Sequence, residues 1–285
     1  MDNVLRCWQG LGYYARARNL LLAAREIVDL FGGIVPATLP DLLSLPGIGR
    51  STAGAILNIA FGQRHPILDG NVKRILVRYF CILANPIDKK ANEKLWQLAE
   101  AILPQKQVNH FTQAIMDLGA TICLPKNPKC DLCPVSLACQ GYKKGLQNKL
   151  PIKTVRKKRP HYDYIAAIIQ KVGKVLIKKR QETGLLGGLW EFPGGRVGDG
   201  KTLHEVIAKE AGQPVSLTAL GFEIKHAFTH FTMTLHLFSG SVRMSKVQLP
   251  LKWVSIDRLS EYPFSSAHQK IVLKLQHDFE DKLRS

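Results

Sequence analysis

Apolar residues follow two different periods along the chain. Up to about residue 122 they recur at helical spacing: Leu20, Leu21, Ala24, Ile27, Val28 and Phe31 form one stripe closed by Gly32-Gly33, and Leu95, Leu98, Ile102 and Leu103 form another closed by Pro104. Shorter helical patterns cover Leu39–Ser44, 50–57, 72–80 and 111–120. Beyond residue 160 the period shortens to β-rich runs at 164–170, 175–179, 222–228, 233–238 and 251–254, punctuated by Gly173, Gly184 and the pairs Gly187-Gly188 and Gly194-Gly195. Helical patterns return at Leu203–Ala211 and from residue 267 to about 283. The pattern predicts a multi-domain chain, an all-α half followed by an α+β domain.

Composition supports two packed cores. The chain has 285 residues, 46% of them hydrophobic, which is enough to fold and too long for one small module. It has no run of about 18 uncharged apolar residues, and no basic stretch followed by an apolar one opens it. The expectation is a soluble intracellular protein without membrane contact. Its 40 Lys+Arg against 22 Asp+Glu give a formal charge of +18, which points to a polyanion and most simply to nucleic acid. The charge is spread along the chain except between Pro151 and Pro160, where five basic residues and no acidic one read as an extended linker able to follow a phosphate backbone.

Three segments carry chemistry. Leu45-Pro46-Gly47-Ile48-Gly49 precedes the small-residue helix that begins Arg50-Ser51-Thr52-Ala53-Gly54. Two glycines let backbone N–H groups approach an anion, and the helix N-terminus adds partial positive charge; the same residues also suit an ordinary turn between helices. Asp69, in Pro66-Ile67-Leu68-Asp69-Gly70-Asn71-Val72-Lys73-Arg74, falls where a helix begins, so on its own it reads as an N-cap or an Asp-Gly turn. Cys123, Cys130, Cys133 and Cys139 are spaced C-x6-C-x2-C-x5-C. Four thiolates this close suit zinc or a 4Fe-4S cluster, and spacing alone leaves that choice open. Cys7 and Cys81 fall on apolar helical faces and read as core.

Together, the hairpin and the Asp69 segment resemble the helix-hairpin-helix, Gly/Pro-rich loop, Asp superfamily of base-excision DNA glycosylases. The opening run Trp8-Gln9-Gly10-Leu11-Gly12-Tyr13-Tyr14-Ala15-Arg16 resembles its MutY-type adenine DNA glycosylase branch. The resemblance gives Asp69 the catalytic role of a carboxylate that stabilises an oxocarbenium-like sugar. It places Pro46, Gly47, Gly49, Ser51, Lys73 and Arg74 on DNA, and makes Tyr13 an aromatic wedge beside the mispair while Tyr14 packs inside. Ser51 stands where bifunctional relatives such as endonuclease III carry a lysine nucleophile, and serine forms no imine. The resemblance therefore implies a monofunctional enzyme. It assigns the four cysteines to a 4Fe-4S cluster, with Lys126, Lys129, Lys143 and Lys144 around it. The implied partner is double-stranded DNA bearing A·8-oxoguanine or A·G mispairs, met by a monomer in the cytoplasm, or on the nucleoid of a bacterial cell. The domain bounds expected are 1–122 for the glycosylase half, 123–142 for the cluster loop, 143–160 for the linker and 161–285 for the last domain.

The last domain resembles a Nudix fold through Gly187-Gly188-Leu189-Trp190-Glu191-Phe192-Pro193-Gly194-Gly195, but departs from it at the metal site. Counting from Gly195, the expected glutamates fall on Lys201 and Gln213-Pro214; counting from Gly212 they fall on Lys209-Glu210. Neither register supplies the oxygen ligands that Mg²⁺ requires. The resemblance implies instead a domain that reads 8-oxoguanine opposite the adenine, with Phe228, Thr229 and His230 as its recognition loop. The family's general acid, a glutamate upstream of the Tyr-Tyr motif, has no counterpart among Asp2, Glu26, Asp29 and Asp41. The expectation is thus an N-terminally truncated adenine DNA glycosylase in which Met1 is a misassigned internal start, or else a largely inactive product, since general acid catalysis is worth about 10²–10⁴-fold. The rival expectation is a non-catalytic mismatch or 8-oxoguanine binding protein.

Overall fold

The computed structural model describes residues 1–152, 158–198, 202–242 and 247–284. Most of the expected basic linker, residues 153–157, and Lys201 lie outside the described residues. The chain forms two compact units, one of residues 22–157 and the other of residues 1–21 with 158–285.

The helical unit contains most of α2 (Ala15–Phe31), then α3 (Leu39–Ser44), α4 (Arg50–Phe61), α5 (Gly70–Tyr79), α6 (Lys89–Ala101) and α7 (Val108–Asp117); α1 (Asp2–Cys7) belongs to the other unit. A π-helical turn, Leu118–Ile122, prolongs α7, and α8 (Gln140–Lys143) follows the cysteine loop. Local signals explain the boundaries. Thr38 caps α3 by accepting the Asp41 N–H, and Gly62, in the left-handed region at φ 64°, ends α4. One core gathers Val72, Ile75, Leu76 and Val77 of α5 with Leu95, Ala99 and Ile115; a second packs Ala23 of α2 against Leu42, Leu45, Ala53 and Leu57. The α2 stripe expected from spacing is partly overturned. Ile27 and Phe31 pack inward, but Leu20, Ala24 and Val28 are exposed, because α2 is apolar on several sides and the small Ala23 makes the close contact.

The other unit is a mixed sheet covered on both faces. Its elements are β1 (His161–Lys171), β2 (Lys174–Lys179), β3 (Trp190–Glu191), β4 (Gly194–Arg196), α9 (Leu203–Ala211), β5 (Ser216–Ala227), β6 (Thr232–Ser241), β7 (Leu251–Ser255) and α10 (Ser266–Arg284). The strand order is β3-β2-β1-β6-β5, with β4 on β1 and β7 on β2; β1 runs parallel to β6 and the remaining pairs are antiparallel. Alternate residues of β1 explain its continuous apolar run. Ile165, Ala167 and Ile169 meet Ile207 and Ala211 of α9, whereas Ala166 and Ile168 join the core of Ala267, Ile271 and Val272 from α10.

Two departures from the sequence pattern have identifiable causes. Strands β3 and β4 are too short to alternate, and at Gly194 a Cβ would stand 2.0 Å from the Ile165 carbonyl oxygen, so only glycine lets β4 lie against β1. Strand β5 begins six residues before the predicted run because its register shifts between Ala219 and Glu223, around Gly221 at φ 64°.

Residues 1–21, expected with the helical half, pack in the sheet unit. Leu5, Tyr14, Ala17 and Leu189 form one buried cluster, Asp2 accepts Lys179 Nζ at 2.7 Å and Trp190 Nε1 at 3.2 Å, and Arg18 donates to the Gly187 carbonyl at 2.8 Å. Cys7 is exposed, contrary to its expected core position, whereas Cys81 packs against the α5 core.

Candidate functional site

In the helical unit, Gly47 adopts φ 80° and Gly49 is the exposed N-cap of α4. No side chain caps that helix, which leaves its first N–H groups turned toward solvent beside half-buried Pro46. Asp69 is the N-cap of α5: its Oδ1 accepts the Val72 N–H at 2.8 Å, and the side chain remains partly exposed. A carboxylate at that place is favoured by the helix dipole. Lys73, one turn on, is half-buried and donates from Nζ to Asn92 Oδ1 at 2.9 Å. Ser51 is not idle surface: its Oγ accepts the Leu68 N–H at 2.6 Å, tying the start of α4 to the residue before Asp69.

Helix α5 also grips the cysteine loop. Arg78, 2% exposed, donates to the carbonyls of Leu150 (3.0 Å), Leu124 (2.7 Å) and Pro125 (3.4 Å) and to Cys123 Sγ (3.3 Å). Arg74 corrects the sequence expectation of a phosphate contact. It is buried, donating to the Cys123 carbonyl at 2.7 Å, the Gly119 carbonyl at 2.6 Å and Asn71 Oδ1 at 2.9 Å, and desolvation lowers its guanidinium pKa. Gly141 completes the junction, since a Cβ there would stand 2.5 Å from the Arg78 carbonyl oxygen.

All four cysteines of the loop line one cavity together with Ile75, Arg78 and Tyr79. Burial, reinforced by the other three sulfurs, pushes the Cys130 thiol above its usual pKa. Zinc draws its ligands to about 2.3 Å from one point; among the described residues no three His, Cys, Asp or Glu side chains form a group that would hold such an ion. The nearby carboxylate, Asp131, is engaged by the Tyr142 hydroxyl at 2.8 Å. Lys126, Lys129, Lys143 and Lys144 are exposed around the loop.

In the sheet unit, Tyr13 and the expected recognition loop line one cleft, a juxtaposition absent from the sequence pattern. Tyr13 sits at φ 49°, is 69% exposed, and has Arg16 5.7 Å from its ring, whereas Tyr14 is buried. The Tyr13 hydroxyl lies 3.4 Å from Thr229 Oγ1. Residues 228–231 turn between β5 and β6, closed by the Phe228 N–H donating to the Phe231 carbonyl at 2.8 Å. Thr229 and His230 are exposed on that turn; the Phe228 ring stacks on Phe231 at 4.7 Å and is half-buried. The carboxylates of the Nudix-like segment are taken up internally: Glu210 pairs with Lys178, and Glu191, whose pKa burial raises, pairs with Arg180.

Sequence reasoning missed Asn58, Arg78 and His268. For Arg78 the signal was available, an arginine on the apolar face of α5, one turn after Arg74. His268 accepts the Phe192 N–H on Nδ1 at 3.1 Å and stacks on that ring, and burial lowers its pKa to about 3. An unfolded histidine titrates near 6.5, so the unfolded chain binds this proton first. Stability linked to His268 is fully present above pH ~6.5 and is lost as pH falls toward 3. His268→Gln is therefore expected to flatten the decline of Tm across that window; an unchanged acid limb would contradict the buried neutral ring.

Comparisons with known proteins show what the chain is similar to. Residues 30–59 match the helix-hairpin-helix motif and residues 164–274 the NUDIX domain. Adenine DNA glycosylases of Buchnera aphidicola subsp. Baizongia pistaciae (strain Bp) and subsp. Schizaphis graminum (strain Sg) are each 38% identical, over 83% and 86% of this chain and 66% and 70% of their own lengths. The Homo sapiens adenine DNA glycosylase is 30% identical over 95% of this chain and 60% of its own length. Among solved structures, a thermostable thymine-DNA glycosylase is 33% identical with a TM-score of 0.44, covering 50% of this chain and 65% of its own. This chain spans about two thirds of the length of the bacterial relatives. With 38% identity across 70% of a relative's length, and both motifs in place, the chain belongs to the adenine DNA glycosylase family.

Proposed function

We propose that the chain acts in base-excision repair, hydrolysing the N-glycosidic bond of adenine mispaired with 8-oxoguanine or guanine. The observation that carries this reading is the Asp69 carboxylate at the N-terminus of α5, tied through Leu68 and Ser51 to the phosphate-binding end of α4. The hairpin, through Pro46, Gly47, Gly49 and Ser51, holds the backbone of the strand, and Lys73 adds a cation near it. A target adenine leaves the stack before its bond can be reached. As the bond breaks, positive charge grows at the sugar C1′ and the Asp69 carboxylate stabilises it.

Tyr13 wedges into the duplex from the cleft it shares with Phe228, Thr229 and His230, and the Thr229 hydroxyl hydrogen-bonds the oxidised purine. Thr229→Ala is expected to reduce the preference for 8-oxoguanine over guanine opposite adenine by about 5–10-fold, the worth of one hydrogen bond. Competition binding between the two duplexes measures it, and an unchanged ratio would remove Thr229 from recognition.

The four cysteines, which line one cavity, would hold the 4Fe-4S cluster that the family resemblance implies, four thiolates being the donor set such a cluster takes. When bound, the cluster supplies a rigid brace for the loop that Arg74 and Arg78 hold. The protein works as a monomer on duplex DNA, in the cytoplasm or at a nucleoid. Because serine at position 51 forms no imine, the product is an abasic site on an intact strand. Incubation with an end-labelled A·8-oxoguanine duplex tests this: breaks are expected only after hot alkali, and breaks without alkali would indicate a lyase.

A further inference from the structure

Ser51, Gly54 and Asn58 are three and four positions apart on α4 and therefore share one face of the helix. That face meets residues 65–68, the segment that delivers Asp69. Ser51 holds the Leu68 N–H, and at Gly54 a Cβ would stand 2.8 Å from the Pro66 carbonyl oxygen, so the segment lies directly on the helix. Asn58 closes the far end. Its Nδ2 donates to the His65 carbonyl and its Oδ1 accepts the His65 N–H, both at 2.8 Å. The same Nδ2 donates to Thr112 Oγ1 of α7, also at 2.8 Å. Asn58 is fully buried, and both N–H bonds of its amide are used. An apolar residue of similar size would fill the space but leave both backbone groups of His65 without these partners.

We propose that Asn58 is a positioning residue for Asp69. By clamping both backbone groups of His65 it pins residues 65–68 along α4. The Asp69 carboxylate is thereby held at a fixed distance from Gly47 and Gly49, which grip the strand at the other end of the same helix. Misplacement of a reacting group by about 1 Å costs on the order of 10²-fold, and without Asn58 residues 65–67 are left with the Ser51 bond to Leu68 as their one remaining side-chain tie to α4. The inference rests on the reading of Asp69 as the carboxylate that faces a cationic sugar.

The test compares affinities for two uncleavable duplexes, each with 8-oxoguanine opposite the altered nucleotide. One carries a cationic pyrrolidine in place of the sugar and the other a neutral tetrahydrofuran. The unsubstituted chain is expected to prefer the cationic duplex by about tenfold or more. In Asn58→Ala the preference is expected to fall to about threefold or less, while affinity for the neutral duplex stays within about threefold; a purely structural residue would weaken both alike. Full retention of the preference in Asn58→Ala overturns the proposal, as does an equal loss of affinity for both duplexes. If Asn58→Ala does not fold by circular dichroism, Thr112→Val, which removes only the third partner of the amide, is expected to give an intermediate loss of preference, and full retention there overturns the proposal. Absence of any preference in the unsubstituted chain instead overturns the Asp69 reading, and the inference with it.

Discussion

Asp69→Asn is expected to abolish the preference for a cationic sugar analogue while leaving thermal stability nearly unchanged. Asp69 caps α5 and, in the function proposed, also faces a cationic sugar, and this substitution separates the two. As the N-cap of α5 it accepts the Val72 N–H, and asparagine caps a helix about as well as aspartate. As an anion it attracts charge at the sugar, and asparagine cannot. The loss on the cationic duplex is expected to equal that preference, about tenfold or more, as for removal of one preorganised electrostatic group from an active site. Asp69→Ala, which also removes the cap, is expected to cost a further ~1 kcal/mol of stability. Anisotropy titrations with the cationic and neutral duplexes, run beside thermal melts, measure both effects. An Asp69→Asn protein that keeps the preference would mean that the carboxylate is only a cap.

Arg78→Met is expected to release the cysteine loop and, with it, the cluster proposed there. The methionine fills much of the same volume but leaves the carbonyls of Leu150, Leu124 and Pro125 without their donor. Each buried acceptor left unpaired costs about 1–3 kcal/mol, so even with partial relaxation the loss is expected to be about 3 kcal/mol. Cys123 also loses the hydrogen bond that Arg78 donates to its sulfur. Iron and acid-labile sulfide are expected to fall from about four of each per chain to a small fraction, with a lowered Tm. Full iron content and an unchanged melt in Arg78→Met would show that α5 does not hold the loop.

Much of this architecture is legible from the pattern of residues, and the exceptions have physical reasons. The helix over Leu39–Ser44 and the helix over Leu203–Ala211 follow from cap residues and apolar spacing, because local hydrogen bonds set their ends. The facing side of α2 was not legible, since a helix apolar on several sides gives periodicity nothing to choose between. Strand β3 is hidden by its two-residue length, and β4 by a glycine whose reason is a close approach to β1, a contact distant in sequence. The same applies to the site. The four cysteines stand out by their spacing, whereas Asp69 and the hairpin glycines read on their own as a cap and a turn and are singled out by the resemblance. Asn58 does not, because an asparagine in an apolar helix shows its purpose only when His65 is seen beside it. Arg74 looked like a phosphate ligand by sequence proximity to Lys73, but the two lie on different faces of α5, one at Asn92 and the other under the cysteine loop.

The account is tested most directly by free adenine. Single-turnover reactions with protein in excess over duplex, followed by chromatography of the released base, are expected to yield adenine from A·8-oxoguanine and A·G duplexes and none from A·T, with the yield lost in Asp69→Asn. Adenine release that persists in Asp69→Asn, or that fails to distinguish the mispairs from A·T, would contradict it.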